Sequence, residues 1–118
     1  MLSVAANPSI FVRPPMPIRS AELPDGPFAL MGSAMRFARD AEVYGEDEPA
    51  EYFYQVISGA VRTYRMLDDG RRQVVAFYLP GDIFGVEAGD VHLSSAEAVS
   101  ESQVLVAKRS AVLYQSSN

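Results

Sequence analysis

The sequence predicts a mainly β fold, a double-stranded β-helix (jelly roll) with short flanking helical turns, and three observations carry that expectation. Glycine turns punctuate residues 52–87 at short intervals, at Gly59, Gly70, Gly81 and Gly85. The runs between them are rich in β-branched and aromatic residues. A chain of 118 residues with 48% hydrophobic content is long enough for one core and too short for two.

Taken in order, residues 1–27 hold six of the eight prolines, at Pro8, Pro14, Pro15, Pro17, Pro24 and Pro27. Each removes an amide donor and blocks regular helix, so this segment reads as an extended N-terminal arm, part of which could pack on the roll through Ile10, Phe11, Val12 and Ile18. The roll itself is placed at 28–114. Phe28 to Gly32 reads as a helical turn, and Met35, Phe37 and Ala38 open the first strand, which turns near Arg39-Asp40 toward Val43-Tyr44-Gly45. Glu46-Asp47-Glu48-Pro49-Ala50-Glu51 is an acidic loop, most simply solvated.

Strands follow at Tyr52–Ser58, Val61–Leu67, Arg71–Leu79, around Ile83-Phe84, at Ser94–Ser100 and at Val104–Lys108. Asp69-Gly70 suits a tight hairpin, and Pro80-Gly81-Asp82 ends the third long run. Strand alternation puts Val75, Phe77 and Leu79 on one face and Ala76 and Tyr78 on the other. Both faces are apolar, which predicts a strand inside the closed roll or beside a partner helix. Ala111 to Tyr114 could begin a helix, and 115–118 is a polar tail.

Composition narrows the function. The absence of cysteine excludes disulfides, thiolate metal sites and cysteine-ligated iron–sulfur clusters. A net charge of −5 argues against direct DNA binding by this chain, because affinity for a phosphate backbone comes from clustered Lys and Arg. No apolar run approaches the ~20 residues that span a bilayer, so no membrane partner and a cytoplasmic location are expected. His92 is the sole histidine; with Glu87 and Asp90 it cannot supply the several imidazoles of a cupin metal site, and its loop looks too flexible for a Ser-His pair. The reading therefore contains no catalytic residue, no metal and no cofactor.

The residues Val56-Ile57-Ser58-Gly59-Ala60-Val61-Arg62, Asp69-Gly70-Arg71-Arg72-Gln73, Leu79-Pro80-Gly81-Asp82-Ile83-Phe84-Gly85 and Ser95-Ala96-Glu97-Ala98 stand in a familiar order and spacing. Over 35–113 the chain resembles the N-terminal, cyclic-nucleotide-binding-like effector domain of the CRP/FNR transcription regulators, FixK-like regulators above all. The resemblance implies a regulator whose intact relatives bind DNA as dimers, contact RNA polymerase and control low-oxygen metabolism and nitrogen fixation. It also implies a long dimerisation helix and a helix-turn-helix after the roll, neither of which is found in these residues.

Nucleotide-binding members carry a glutamate directly after the glycine of the turn, for the ribose hydroxyl, and an arginine further on for the cyclic phosphate. Here Val86 follows Gly85, Glu87 is displaced by one, and Leu93 stands where the arginine aligns. What the resemblance leaves is a degenerate phosphate cassette of Gly85, Glu87, Ser94 and Ser95, with cyclic AMP binding disfavoured. On the residues alone, Glu87 is a solvated or backbone-bonded carboxylate, and Ser94 and Ser95 are strand-entry residues. Arg62, Arg65, Arg71 and Arg72 cluster across the Gly70 hairpin and pair most simply with Asp68, Asp69 or the acidic loop. Arg62, Arg71 and Arg72 are also candidates for partner contact. The implied partners are a second copy or a full-length CRP/FNR-type regulator, and the alternative function is a stand-alone roll that binds a protein or small ligand.

Overall fold

The computed structural model describes residues 30–116, so the proline-rich arm and the last two residues of the polar tail lie outside the described residues. Among the described residues there are eight strands: β1 (Gly32–Phe37), β2 (Glu42–Tyr44), β3 (Tyr52–Ser58), β4 (Val61–Met66), β5 (Arg72–Tyr78), β6 (Ile83–Phe84), β7 (Ser95–Ala98) and β8 (Ser102–Lys108). A helix, α1 (Arg109–Ser116), follows them and takes in two residues of the expected tail. Leu30 and Met31, at the end of the predicted first turn, are helical.

The strands form two antiparallel four-stranded sheets, ordered β1-β8-β3-β6 and β2-β7-β4-β5. Only β4 and β5 are consecutive in sequence and adjacent in one sheet; otherwise the chain changes sheet from one strand to the next, which is what rolls it into a jelly roll. Both sheets contribute to one core of Tyr44, Tyr54, Val56, Val61, Phe84, Ala96 and Val104. Phe37, Val43, Tyr78 and Val106 pack against its margin.

The turns form where the sequence supplies turn residues. Leu67 to Arg71 closes the β4–β5 hairpin through bonds of 2.8 and 2.9 Å, and Asp82 N–H donates to the Leu79 carbonyl at 2.9 Å across Pro80-Gly81. Gly59 has φ +84, and a side chain there would collide with Ser102, whose hydroxyl bonds the Ala60 amide and carbonyl. Ser102 is fully buried, so this corner has no room to give.

One expectation is corrected. Of the two settings expected for it, β5 does not take the inside of the roll; among the described residues it is the outer strand of its sheet, pairing only with β4. Its register with β4 skips Val75, since Thr63 faces Ala76 and Tyr64 faces Val74. Val74, Val75, Phe77 and Leu79 are all exposed, Phe77 to 59%. Alternation identifies a strand and its faces but not its place in the sheet, which depends on pairings distant in sequence.

Candidate functional site

The loop Gly85–Ser94, between β6 and β7, is where the candidate cassette falls. Gly85 has φ +77, and a Cβ there would lie 2.6 Å from the Tyr54 ring, so the loop passes flush against the aromatic core. That core is a run of rings. Tyr78 and Phe84 have centroids 5.2 Å apart, Phe84 and Tyr54 5.3 Å, and Tyr54 and Tyr44 5.2 Å. The series ends on the imidazole of His92, stacked 3.6 Å from Tyr44 with the planes 11° apart. Burial pushes the Tyr44 hydroxyl far above the ordinary phenol range, helped by the negative charge of Glu87. Burial likewise raises Tyr54, to about 12, with Tyr52, Glu48 and Glu51 adding to it.

His92 is 1% exposed, which corrects the expectation of a flexible loop residue. Its Nδ1 lies 3.0 Å from Glu87 Oε2, and the Glu87 side chain is itself largely buried. Glu87 is therefore not a solvated carboxylate; it is the partner that seats His92. Backbone bonds then stitch the segment to the acidic loop: Asp47 N–H to the His92 carbonyl, His92 N–H to the Glu48 carbonyl and Ala50 N–H to the Asp90 carbonyl, at 2.8–2.9 Å. Ser95 is buried, and its hydroxyl accepts from the Glu46 amide at 2.9 Å. Ser94 is half-buried. Gly85, Glu87, Ser94 and Ser95 thus turn to different partners and do not converge on one point. Leu93, at the aligned arginine position, is 62% exposed.

The arginines are arranged differently from the sequence expectation. Arg71 pairs with Asp69 at 2.7 Å, as expected of a hairpin neighbour. Arg62 and Arg72 instead share Glu97 on β7, at 2.6 and 3.1 Å, and Arg62 also reaches Asp40 at 3.9 Å. Glu97 is buried beneath them, and the Arg72 guanidinium lies 4.1 Å over the Tyr64 ring. Two guanidiniums on one carboxylate supply the compensation a buried charge requires. Arg65 is exposed at the hairpin, opposite Gln73.

Sequence reasoning missed Glu97, His92 and Arg109 as organising residues. The Arg109 guanidinium donates to the carbonyls of Gly89 at 2.8 Å, Ala50 at 3.3 Å and Glu87 at 3.4 Å. No group of three or more His, Cys, Asp or Glu side chains with metal-holding geometry occurs among the described residues. Among the same residues no helix is long and apolar enough to cross a membrane.

Residues 34–115 match the model of the cyclic nucleotide-binding domain family. The chain is similar to the nitrogen fixation regulation protein FixK of Azorhizobium caulinodans, at 50% identity over 82 residues, covering 70% of this chain and 33% of that protein. FixK of Rhizobium meliloti is 51% identical over 65 residues, covering 55% of this chain and 31% of that protein. The structure of FixK2 from Bradyrhizobium japonicum superposes with a TM-score of 0.70 at 50% identity, over 73% of this chain and 43% of that one. The chain therefore spans about a third of the length of these curated relatives, which are named as regulation proteins of nitrogen fixation. With its two-sheet roll and its glycine turns, this chain belongs to the cyclic nucleotide-binding domain family, in the CRP/FNR group that includes the FixK regulators.

Proposed function

We propose that this chain is the effector region of a FixK-like transcription regulator, and that its roll works as a protein-contact and self-association scaffold without binding cyclic nucleotide. One observation carries the second half: the loop that would cradle a cyclic phosphate is committed to its own protein. Glu87 is bonded to a buried His92, and Leu93 faces solvent where an arginine would be needed. A phosphate calls for a guanidinium or ammonium with free donors. The guanidinium that touches the loop, Arg109, is engaged with its backbone carbonyls, and the strand arginines Arg62 and Arg72 are drawn to Glu97.

The scaffold half rests on β5 and its end, where Val74, Val75, Phe77 and Leu79 are all exposed, a concentration of apolar side chains of the kind that signals association. DNA contact, in this reading, is not made by these residues, whose chain carries a net charge of −5. Polymerase contact through Arg62, Arg71 and Arg72 belongs to the same proposal.

Thermal unfolding of the purified chain titrated with cyclic AMP and cyclic GMP tests the reading. No shift is expected with either nucleotide. A saturable rise, which for a ligand at 100 times its Kd amounts to ~2.7 kcal/mol, would overturn the ligand-free scaffold and make the domain a nucleotide sensor.

A further inference from the structure

Arg109 is the first residue of α1, and the bonds it makes reach well beyond the helix. Its backbone N–H donates to the Glu51 carbonyl at 2.9 Å, which fixes the helix entry to the end of the acidic loop. Its guanidinium takes the carbonyls of Gly89 and Glu87 from the candidate loop and that of Ala50 from the acidic loop. A guanidinium carries five donors in a rigid fork, so one side chain can hold three acceptors only while they keep a fixed mutual position.

That position is set from the other end of the loop. His92 is seated on Tyr44 and bonded to Glu87, which fixes the Glu87–Gly89 bend whose carbonyls Arg109 receives. The chain of contact is therefore continuous: Tyr44, His92, Glu87, Arg109, α1. The residues between Glu87 and His92, Ala88 to Val91, are exposed.

We propose that Arg109 is a latch that ties the ordering of α1 to closure of the Gly85–His92 loop, so that the seating of His92 on Tyr44 governs how firmly the helix is held. This rests on the hydrogen bonds around Arg109 and not on whether the roll binds nucleotide. Opening the loop withdraws two of the three carbonyls and leaves the helix root with the Ala50 carbonyl, the Arg109 N–H bond to Glu51 and its packing on β3 and β8. Energetic coupling between the two segments follows because both bias one discrete arrangement.

Hydrogen exchange on the intact chain, read separately at the two amides that anchor the loop, Ala50 on the Asp90 carbonyl and His92 on the Glu48 carbonyl, and over 109–113, tests the latch by a double-mutant cycle. His92→Phe keeps an aromatic ring for Tyr44 and removes the bond to Glu87; Arg109→Ala removes the clamp. His92→Phe is expected to speed exchange at both places by about tenfold, the scale of losing a charge-assisted hydrogen bond. Arg109→Ala should speed the helix root similarly, and adding His92→Phe to it should change the helix root no further. Arg109→Lys, which can hold one carbonyl, should fall between wild type and Arg109→Ala, and it replaces the alanine variant if that chain does not fold. Amides of Val56 and Val104 in the core should keep their protection throughout. The latch is overturned if His92→Phe leaves the helix root at its wild-type rate, or if the two substitutions act independently in the double variant.

Discussion

Gly59 and Gly70 share nearly the same backbone, φ +84 and +87, yet differ in their surroundings. A Cβ at Gly59 would lie 2.6 Å from the Glu101 carbonyl oxygen and against Ser102, whereas one at Gly70 would meet nothing within 4 Å. Gly70→Ala should therefore lose only the left-handed backbone cost, ~1 kcal/mol, and Gly59→Ala ~2–4 kcal/mol, because a collision is added. Denaturant unfolding of the two variants gives the comparison, and equal losses would show that the Ser102 corner can relax. The glycine turns were legible because a turn is local. Glu97 was not, since its two guanidiniums come from strands 35 and 25 residues away. His92 sits five residues from Glu87, but its burial depends on Tyr44, on a strand of another part of the chain.

The buried phenols give a pH dependence at the same scale. Tyr54 titrates near 10 in the unfolded chain and at about 12 in the fold. Its raised value means the folded state holds the proton more tightly, so the associated stability is fully present below pH 10 and is lost as pH rises through about 12. Tyr44 shifts in the same direction for the same first cause, burial. Alkaline titration followed by phenolate absorbance should show these tyrosines ionising late and together with loss of near-ultraviolet circular dichroism. Ionisation of all six tyrosines near pH 10 with the fold intact would contradict the packing of the aromatic core.

Among the elements, β5 separates what sequence pattern reveals from what it hides. Its apolar alternation marks a strand, but an outer strand with exposed Phe77 and Leu79 reads the same as a buried one. An exposed apolar edge is a site of pairing or association unless charge protects it, and here Arg71 and Arg72 guard only its start. Phe77→Ser should leave unfolding stability within ~0.5 kcal/mol, as for an exposed site. It should also lower the mass found by light scattering at high concentration. A wild-type chain that is monomeric at all concentrations, or a variant with unchanged mass, would remove β5 as the association face. The candidate cassette shows the complementary limit: position singles out Gly85 and Glu87, but their partners, Tyr54 and His92, belong to the packing of the whole roll.

At the level of the whole molecule, the jelly roll was legible because every feature that specifies it repeats along the chain: short runs, glycine turns and a single core's worth of apolar residues. The sheet order was not, because it joins segments far apart. β8 lies between β1 and β3, with Gly32 opposite Ala107 on one side and Tyr52 opposite Lys108 on the other. A chain leaving the ribosome thus holds β1 and β3 without their common neighbour until almost all of the domain has been made. Until then Val104 and Leu105, both 1% exposed or less in the finished roll, are missing from its centre. Folding of this domain consequently waits for β8, and a nascent chain that pauses before residue 102 has β1 without a sheet partner and β3 paired only with the short β6.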